Sequence, residues 1–233
     1  MGNIYAILLA GGEGKRLGAD KPKQFLKLGT ESLLQRSVRR FRSWGFLKSI
    51  VVVGNKDYLI ETETEIGDLL EYGDSITEGG VTRHESCIAG IEHSQASAGD
   101  YIFIHDVARP FFLHSELDEL LKVAQEYGSA TLAMPASDTL IFGNKYAEKT
   151  IDREGVWQIK TPQILSYDLY IELVQESLSP PHPTDLCTWC LLNDKKTGIV
   201  KCTVENIKIT YPTDLEVADS MLSRLQSLGS DFQ

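Results

Sequence analysis

The segment Leu9-Ala10-Gly11-Gly12-Glu13-Gly14-Lys15-Arg16-Leu17-Gly18, with Lys21-Pro22-Lys23-Gln24-Phe25 close behind it, joins a run of glycines to several fixed cations. Glycines let backbone N–H groups close on an anion, and the cations neutralise it, so the combination suits the grip of a nucleoside triphosphate. Between Gly11 and Leu28 five basic residues stand against two acidic ones, in a chain whose formal net charge is −10. Taken alone, the same loop is also an ordinary turn with solvated cations. Two familiar phosphate loops do not fit the spacing. A Walker loop would need Ser or Thr where Arg16 follows Gly14-Lys15, and glycine where Leu9 stands. A dinucleotide fingerprint would need its third glycine one place before Gly18 and an acidic strand end where Glu31 opens a helical pattern, which disfavours a nicotinamide-linked reductase.

A second constellation is His105-Asp106-Val107-Ala108-Arg109-Pro110, directly after the apolar run Tyr101 to Ile104. In open parallel sheets ligands collect beyond the carboxyl ends of the strands. A carboxylate there suits a divalent cation, and Arg109 can reach the same phosphate cluster. Asp106 also suits a turn cap, and His105 a hydrogen-bonded side chain at a strand end.

The elements that must position these residues follow from periodicity. Apolar runs at Ile4 to Leu9, Ser49 to Val53, Tyr101 to Ile104 and Ala130 to Met134 alternate with helical patterns, which predicts a mostly parallel sheet covered on both faces. Ser32 to Trp44 carries Leu34, Val38 and Phe41 on one stripe and stops at Gly45. A second helix is expected to start at Ser115, with Asp118 completing its cap, and to stop at Gly128. From Ser137 to Thr161 the rhythm breaks, and Leu140-Ile141-Phe142-Gly143-Asn144 reads as one limb and turn of a β-hairpin arm. Its apolar surface predicts dimerisation through the arm, with Trp157 packing there. Pro180-Pro181-His182-Pro183 reads as a stiff loop before a further helix and strand.

Composition bounds the rest. At 233 residues, 42% apolar and 24% charged, the chain is expected to form one domain spanning 1–233. Its negative charge excludes general binding to nucleic acid or anionic membranes. The start lacks a secretory signal and no apolar run is of membrane length, so a cytoplasmic protein is expected. Four cysteines are too few for a disulfide scaffold, and the lone pair Cys187 and Cys190 reads as two half-buried helix thiols.

Together with Gly79-Gly80-x-x-Arg83-x-x-Ser86, Asp152-Arg153-x-Gly155-x-Trp157, Thr161-Pro162-Gln163 and Asn206-Ile207-Lys208-Ile209-Thr210, these motifs resemble those of the 2-C-methyl-D-erythritol 4-phosphate cytidylyltransferases of non-mevalonate isoprenoid biosynthesis, over roughly residues 4 to 222. The resemblance implies a Rossmann-like three-layer α/β nucleotidyltransferase fold with a protruding hairpin arm. It implies a reaction of CTP with a polyol phosphate that needs Mg2+. It assigns Arg16, Lys23, Asp106 and Lys208 to catalysis, with Asp106 on the metal, and Ala10, Gly11, Gly12, Gly14, Gly80, Arg83 and Ser86 to the nucleotide. For the acceptor it implies Arg109, Thr139, Thr184 and Lys208 from one subunit, with Arg153 and Thr161 from the partner's arm in a homodimer. The stretch Thr184-Asp185-Leu186-Cys187-Thr188-Trp189 departs from the family's usual small residues. Ribitol-5-phosphate cytidylyltransferases share the glycine start and the H-D-x-x-R-P motif, which makes ribitol phosphate the alternative acceptor. Outside this reaction class stands a nucleotide-binding protein without turnover, against which the presence of Arg16, Lys23, Asp106 and Lys208 speaks.

Overall fold

The computed structural model describes residues 2–12, 14, 21–176 and 183–227. Arg16 and most of the proline loop at 180–183 therefore lie outside the described residues.

The strand and helix order follows the alternation read from the sequence. Strands β1 (Ile4–Ala10), β4 (Ser49–Gly54), β5 (Ser75–Glu78), β6 (Tyr101–Asp106), β7 (Ser129–Pro135), β10 (Trp157–Ser166) and β11 (Gly198–Lys201) form one sheet in the order β11-β7-β10-β6-β1-β4-β5. Neighbours are parallel except for β10, which runs antiparallel to both β6 and β7. The short pair β2 (Lys27–Leu28) and β3 (Glu31–Ser32) and the hairpin β8 (Leu140–Gly143) with β9 (Ala147–Ile151) stand apart from it.

Because strand side chains alternate, β1 sends Ile4, Ala6 and Leu8 to one face and Tyr5 and Ile7 to the other. On the first face they meet α1 (Leu33–Ser43) and α4 (His114–Tyr127), through Leu34, Val38, Phe41, Leu117 and Leu120. On the second they meet α3 (Arg83–His93), α5 (Tyr167–Gln175) and α6 (Leu186–Leu192), through Ile91, Leu173 and Trp189. Helix α2 (Leu59–Ile66) adds Ile66 to the first face. Helix α7 (Pro212–Ser227) closes a third cluster, packing Ala218 and Leu222 with Leu28, Leu33 and Ile209. The result is the three-layer α/β architecture that the alternation predicts.

Several boundaries have local causes. Ser32 caps α1 by accepting from the Gln35 N–H while Gln35 returns a bond to the Ser32 N–H. The second expected helix begins one residue before Ser115, and its first turn is closed by Glu116 on the Leu113 N–H at 2.8 Å, not by Asp118. Asp118 instead accepts from the Trp44 indole at 2.9 Å. Gly128 ends α4 with φ of 79°, a left-handed value that favours glycine.

The expected arm is shorter than the sequence implied. Hairpin β8–β9 is the projecting part, with Ile141, Phe142 and Tyr146 exposed on it. Trp157 already belongs to the central sheet, paired with Pro135, and does not pack in the arm. Thr161 lies further along β10 and is buried, so its assignment to an exposed arm is corrected.

Candidate active site

Strand β6 runs two residues past Ile104, so His105 and Asp106 are strand residues, and Asp106 pairs in register with Leu9 at the mouth of the glycine loop. This register brings the two constellations of the sequence side by side at the carboxyl edge of the sheet.

On the β1 side the glycines make room for Lys23, which opens a 3-10 turn after Pro22. A Cβ on Gly12 would stand 2.9 Å from Lys23 Cε, and one on Gly14 would stand 3.2 Å from the Lys23 backbone nitrogen. Gly14 also has φ of 68°. Gly11 has ordinary clearance, its nearest neighbour being the Asn55 nitrogen at 3.8 Å. Ala10 ends β1 and is buried.

On the β6 side Asp106 is gripped from two directions. Arg83, at the first turn of α3, donates from Nε to Oδ1 at 3.0 Å, with Nη2 at 2.9 Å from the same oxygen. Lys208 donates to Oδ2 at 2.7 Å. Burial alone would raise the Asp106 pKa, but the Arg83 and Lys208 charges outweigh it and hold the carboxyl well below the usual carboxylate range. Arg83 is aimed by its helix start, where Thr82 and Glu85 form a reciprocal cap. Its Nη1 donates to the Thr184 carbonyl at 3.2 Å, while the Thr184 hydroxyl is exposed and donates to Asp185 at 3.0 Å. Ser86 folds its hydroxyl back onto the Thr82 carbonyl at 2.9 Å, and Gly80 sits so close to Glu85 that a Cβ would meet Glu85 Cβ at 2.2 Å.

A third strand completes the edge. The Thr161 hydroxyl accepts from the Asp106 N–H at 3.1 Å and is 3.2 Å from His105 Nδ1. Burial pushes the His105 pKa down to about 3, so the ring is neutral near pH 7 and no candidate acid or base there. Arg109 is buried and donates from Nη1 to the Asn206 carbonyl at 3.3 Å. Thr139 and Arg153 stand exposed on the arm, where the Arg153 guanidinium bonds the Ser137 carbonyl of its own chain.

The structure thus joins Lys23, Arg83, Asp106, Arg109, Thr161, Thr184 and Lys208 at one edge, and leaves Thr139 and Arg153 exposed at the foot of the hairpin. Arg83 and Lys208 hold the Asp106 carboxylate and the Arg109 charge acts on it as well, a cationic surplus that calls for a polyanion. A magnesium ion held by a single carboxylate and otherwise by substrate phosphates and water needs no more from the protein than the ionised Asp106. Among the described residues no group of three His, Cys, Asp or Glu side chains could form an all-protein cage. The four cysteines are free, and burial pushes Cys87 up to about 11 and raises Cys187 and Cys190, so none is an activated nucleophile. A cavity of about 600 Å³ lies elsewhere, beside α1 between Arg36, Arg42, Leu69 and Phe111. Carboxylates Glu31, Glu71 and Asp74 already engage its arginines, so charge, not concavity, marks the site.

Sequence reasoning missed the roles of Asn206 and Gln163 in this edge. Gln163 is buried, donating to Thr131 Oγ1 at 2.9 Å and accepting from the Leu186 N–H at 3.2 Å. The available signal was an amide inside an otherwise apolar run.

Residues 4–224 match the family model described as 2-C-methyl-D-erythritol 4-phosphate cytidylyltransferase. The chain belongs to this family. The Leptospira borgpetersenii protein of that name is 42% identical over 217 residues, covering 93% of this chain and 92% of its own length. The Leptospira interrogans protein of the same name is 40% identical, with 98% and 96% covered. The crystal structure of the Thermus thermophilus 2-C-methyl-D-erythritol 4-phosphate cytidylyltransferase superimposes with a TM-score of 0.71 at 25% identity, covering 93% of this chain and 97% of that one. As a cytidylyltransferase of this family the protein is a CTP-dependent nucleotidyltransferase, and among the described residues no helix is long and apolar enough to cross a membrane.

Proposed function

We propose that this cytidylyltransferase joins CTP to 2-C-methyl-D-erythritol 4-phosphate at the Lys23–Asp106–Lys208 edge. An oxygen of the acceptor phosphate attacks the α-phosphorus of CTP, the bond from that phosphorus to the bridging oxygen of the β-phosphate breaks, and pyrophosphate leaves with the electron pair. The products are 4-diphosphocytidyl-2-C-methyl-D-erythritol and pyrophosphate. The observation that carries the reading is the convergence of Arg83 and Lys208 on Asp106, beside a lysine framed by glycines.

No protein nucleophile is required, so the residues work by position and charge. Lys23, with Arg16 from the glycine loop, neutralises the triphosphate, and both oppose the charge that builds on the leaving oxygens. Ala10, Gly11, Gly12 and Gly14 let the backbone approach the nucleotide, and Gly80 and Ser86 line its base side. Arg83 and Lys208 pass from the carboxylate to phosphate oxygens as the nucleotide enters. Lys208 and Arg109 then hold the two reacting phosphates together against their mutual repulsion. Asp106, freed of its internal partners, would hold Mg2+, which would supply charge neutralisation to the phosphates. Thr184 adds an exposed hydroxyl on the acceptor side. Thr139 and Arg153, exposed at the foot of the hairpin, complete the acceptor site of a second copy in a homodimer, and an Arg–phosphate fork suits that task. The enzyme works in the cytoplasm as one domain.

The test follows pyrophosphate release with each of the four nucleoside triphosphates, Mg2+, and either methylerythritol phosphate or ribitol phosphate. Turnover only with CTP and methylerythritol phosphate is expected. Preference for ribitol phosphate overturns the acceptor, and turnover with neither overturns the reading.

A further inference from the structure

We infer that Asn206 is a positioning residue: a buried clip that fastens the Lys208 segment to β10 and aims Arg109, and so sets the acceptor side of the site without touching substrate. The inference rests on the cytidylyltransferase reading for its kinetic test.

The need for the clip arises in β10. Its pairing with β7 is irregular between Ile159 and Gln163, and its pairing with β6 begins only at Gln163. Thr161 falls in that gap, and the following residue, Pro162, has no N–H. The Thr161 carbonyl sits in this break of the ladder in a buried place, where an acceptor without a donor is costly. Asn206 supplies it: the side chain is 1% exposed and Nδ2 donates to the Thr161 carbonyl at 3.0 Å.

The same residue serves a second segment. Its own backbone carbonyl accepts from Arg109 Nη1 at 3.3 Å, and burial of that guanidinium makes the bond one of few available to it. Two residues on stands Lys208, and the Ile209 N–H bonds the Ala108 carbonyl at 2.8 Å. Asn206 thus sits where three segments meet: the one carrying Asp106 and Arg109, the one carrying Thr161, and the one carrying Lys208. The Thr161 hydroxyl is itself engaged by the Asp106 N–H and His105, so it too positions and does not present a free group to the acceptor. No other side-chain type offers this geometry easily. Asp is the same size but would oppose two oxygens, and Ala would leave the Thr161 carbonyl bare.

The test uses Asn206→Ala and the size-conserving Asn206→Asp in the full chain, with Arg109→Ala in a double-mutant cycle. Both Asn206 variants are expected to lose about ten- to a hundredfold in kcat/KM for the acceptor, the scale of an orphaned buried acceptor, with a smaller rise in KM for CTP through the loosened Lys208. In the Arg109→Ala background the Asn206 change should cost much less, because its route through Arg109 is gone. Amide exchange at Ile209 should accelerate in both variants, a readout that needs no turnover. Unchanged acceptor kinetics, full additivity with Arg109→Ala, or unchanged protection at Ile209 overturns the inference. Loss of active fraction alone, with KM values intact in the folded remainder, also overturns it in favour of a purely structural amide. An inactive wild type would instead refute the cytidylyltransferase reading, leaving the exchange experiment to decide on the clip.

Discussion

Replacing Asp106 by Asn removes the counter-charge of two cations at once, and its cost can be set from their exposure. The Asp106 side chain is 13% exposed, Arg83 26% and Lys208 37%. Breaking a fully buried pair costs about 3–5 kcal/mol and an exposed one about 0–1 kcal/mol. Lys208 is discounted for solvent, which leaves the Arg83 half dominant and a total of about 2 kcal/mol. For a chain of this size that is a fall in melting temperature of about 4–8 °C. The sign with pH follows from the depressed pKa. A carboxyl held low in the folded state stabilises it above its unfolded value of about 4, and the gain is lost as pH falls through that value toward the folded one. Melts of both proteins without nucleotide or metal should therefore show a gap at about pH 7 that narrows at about pH 3, as the wild type loses what the variant never had. A gap of equal width at both values, or none near neutrality, refutes the account of Asp106 as an ionised hub.

The same Asn variant should need much more Mg2+ for activity, since an amide is the poorer ligand for a hard cation, and an unchanged magnesium titration would leave Asp106 a structural group. Lys23→Ala should lower kcat by about a hundredfold with little change in melting temperature, and near wild-type turnover would remove Lys23 from the mechanism. Mixing Arg153→Ala chains with Lys23→Ala chains should restore activity if sites are shared across a dimer, whereas mixtures as inactive as their parents after verified exchange would end that idea. Gly90→Ala should destabilise by about 1–3 kcal/mol in denaturant melts, because its Cβ would stand 2.3 Å from Ile7 Cγ2 and 2.7 Å from Val53 Cγ2. A neutral result would mean that α3 has room to move off the sheet.

The parallel strands were legible because strands buried on both faces read as unbroken apolar runs, as Ile4–Ala10 and Ser49–Gly54 do. The α1 cap was not read as such, although Ser32 and Gln35 stand at the right spacing. Leu113 concealed the start of α4, since no capping side chain marks it and Glu116 makes the bond from inside the helix. The direction of β10 was not legible. A polar stretch after a hairpin reads as more of the same arm, and only the long-range pairing with Phe103 and Ala130 places it mid-sheet. For the site, residue type found Lys23, Asp106 and Lys208, which the fold gathers at one edge. The grip of Arg83 on Asp106 was hidden, because it depends on where α3 begins relative to β6, 23 residues along the chain.

The hairpin leaves the sheet between two strands that are themselves hydrogen-bonded neighbours. Trp157 pairs with Pro135, and the Ala136 N–H bonds the Val156 carbonyl at 2.9 Å, so the doorway is shut beneath it. To the sheet, residues 137–155 are therefore one long connection whose ends are already joined. Lengthening such a connection is inexpensive, about 0.6 kcal/mol for each doubling. The fold thus holds the length of this connection only loosely, and a chain carrying a short turn in place of the hairpin strands should still melt cooperatively. Descent with modification can rebuild the outer contacts of this protein, insertion by insertion, while Asp106 and Thr161 keep their places.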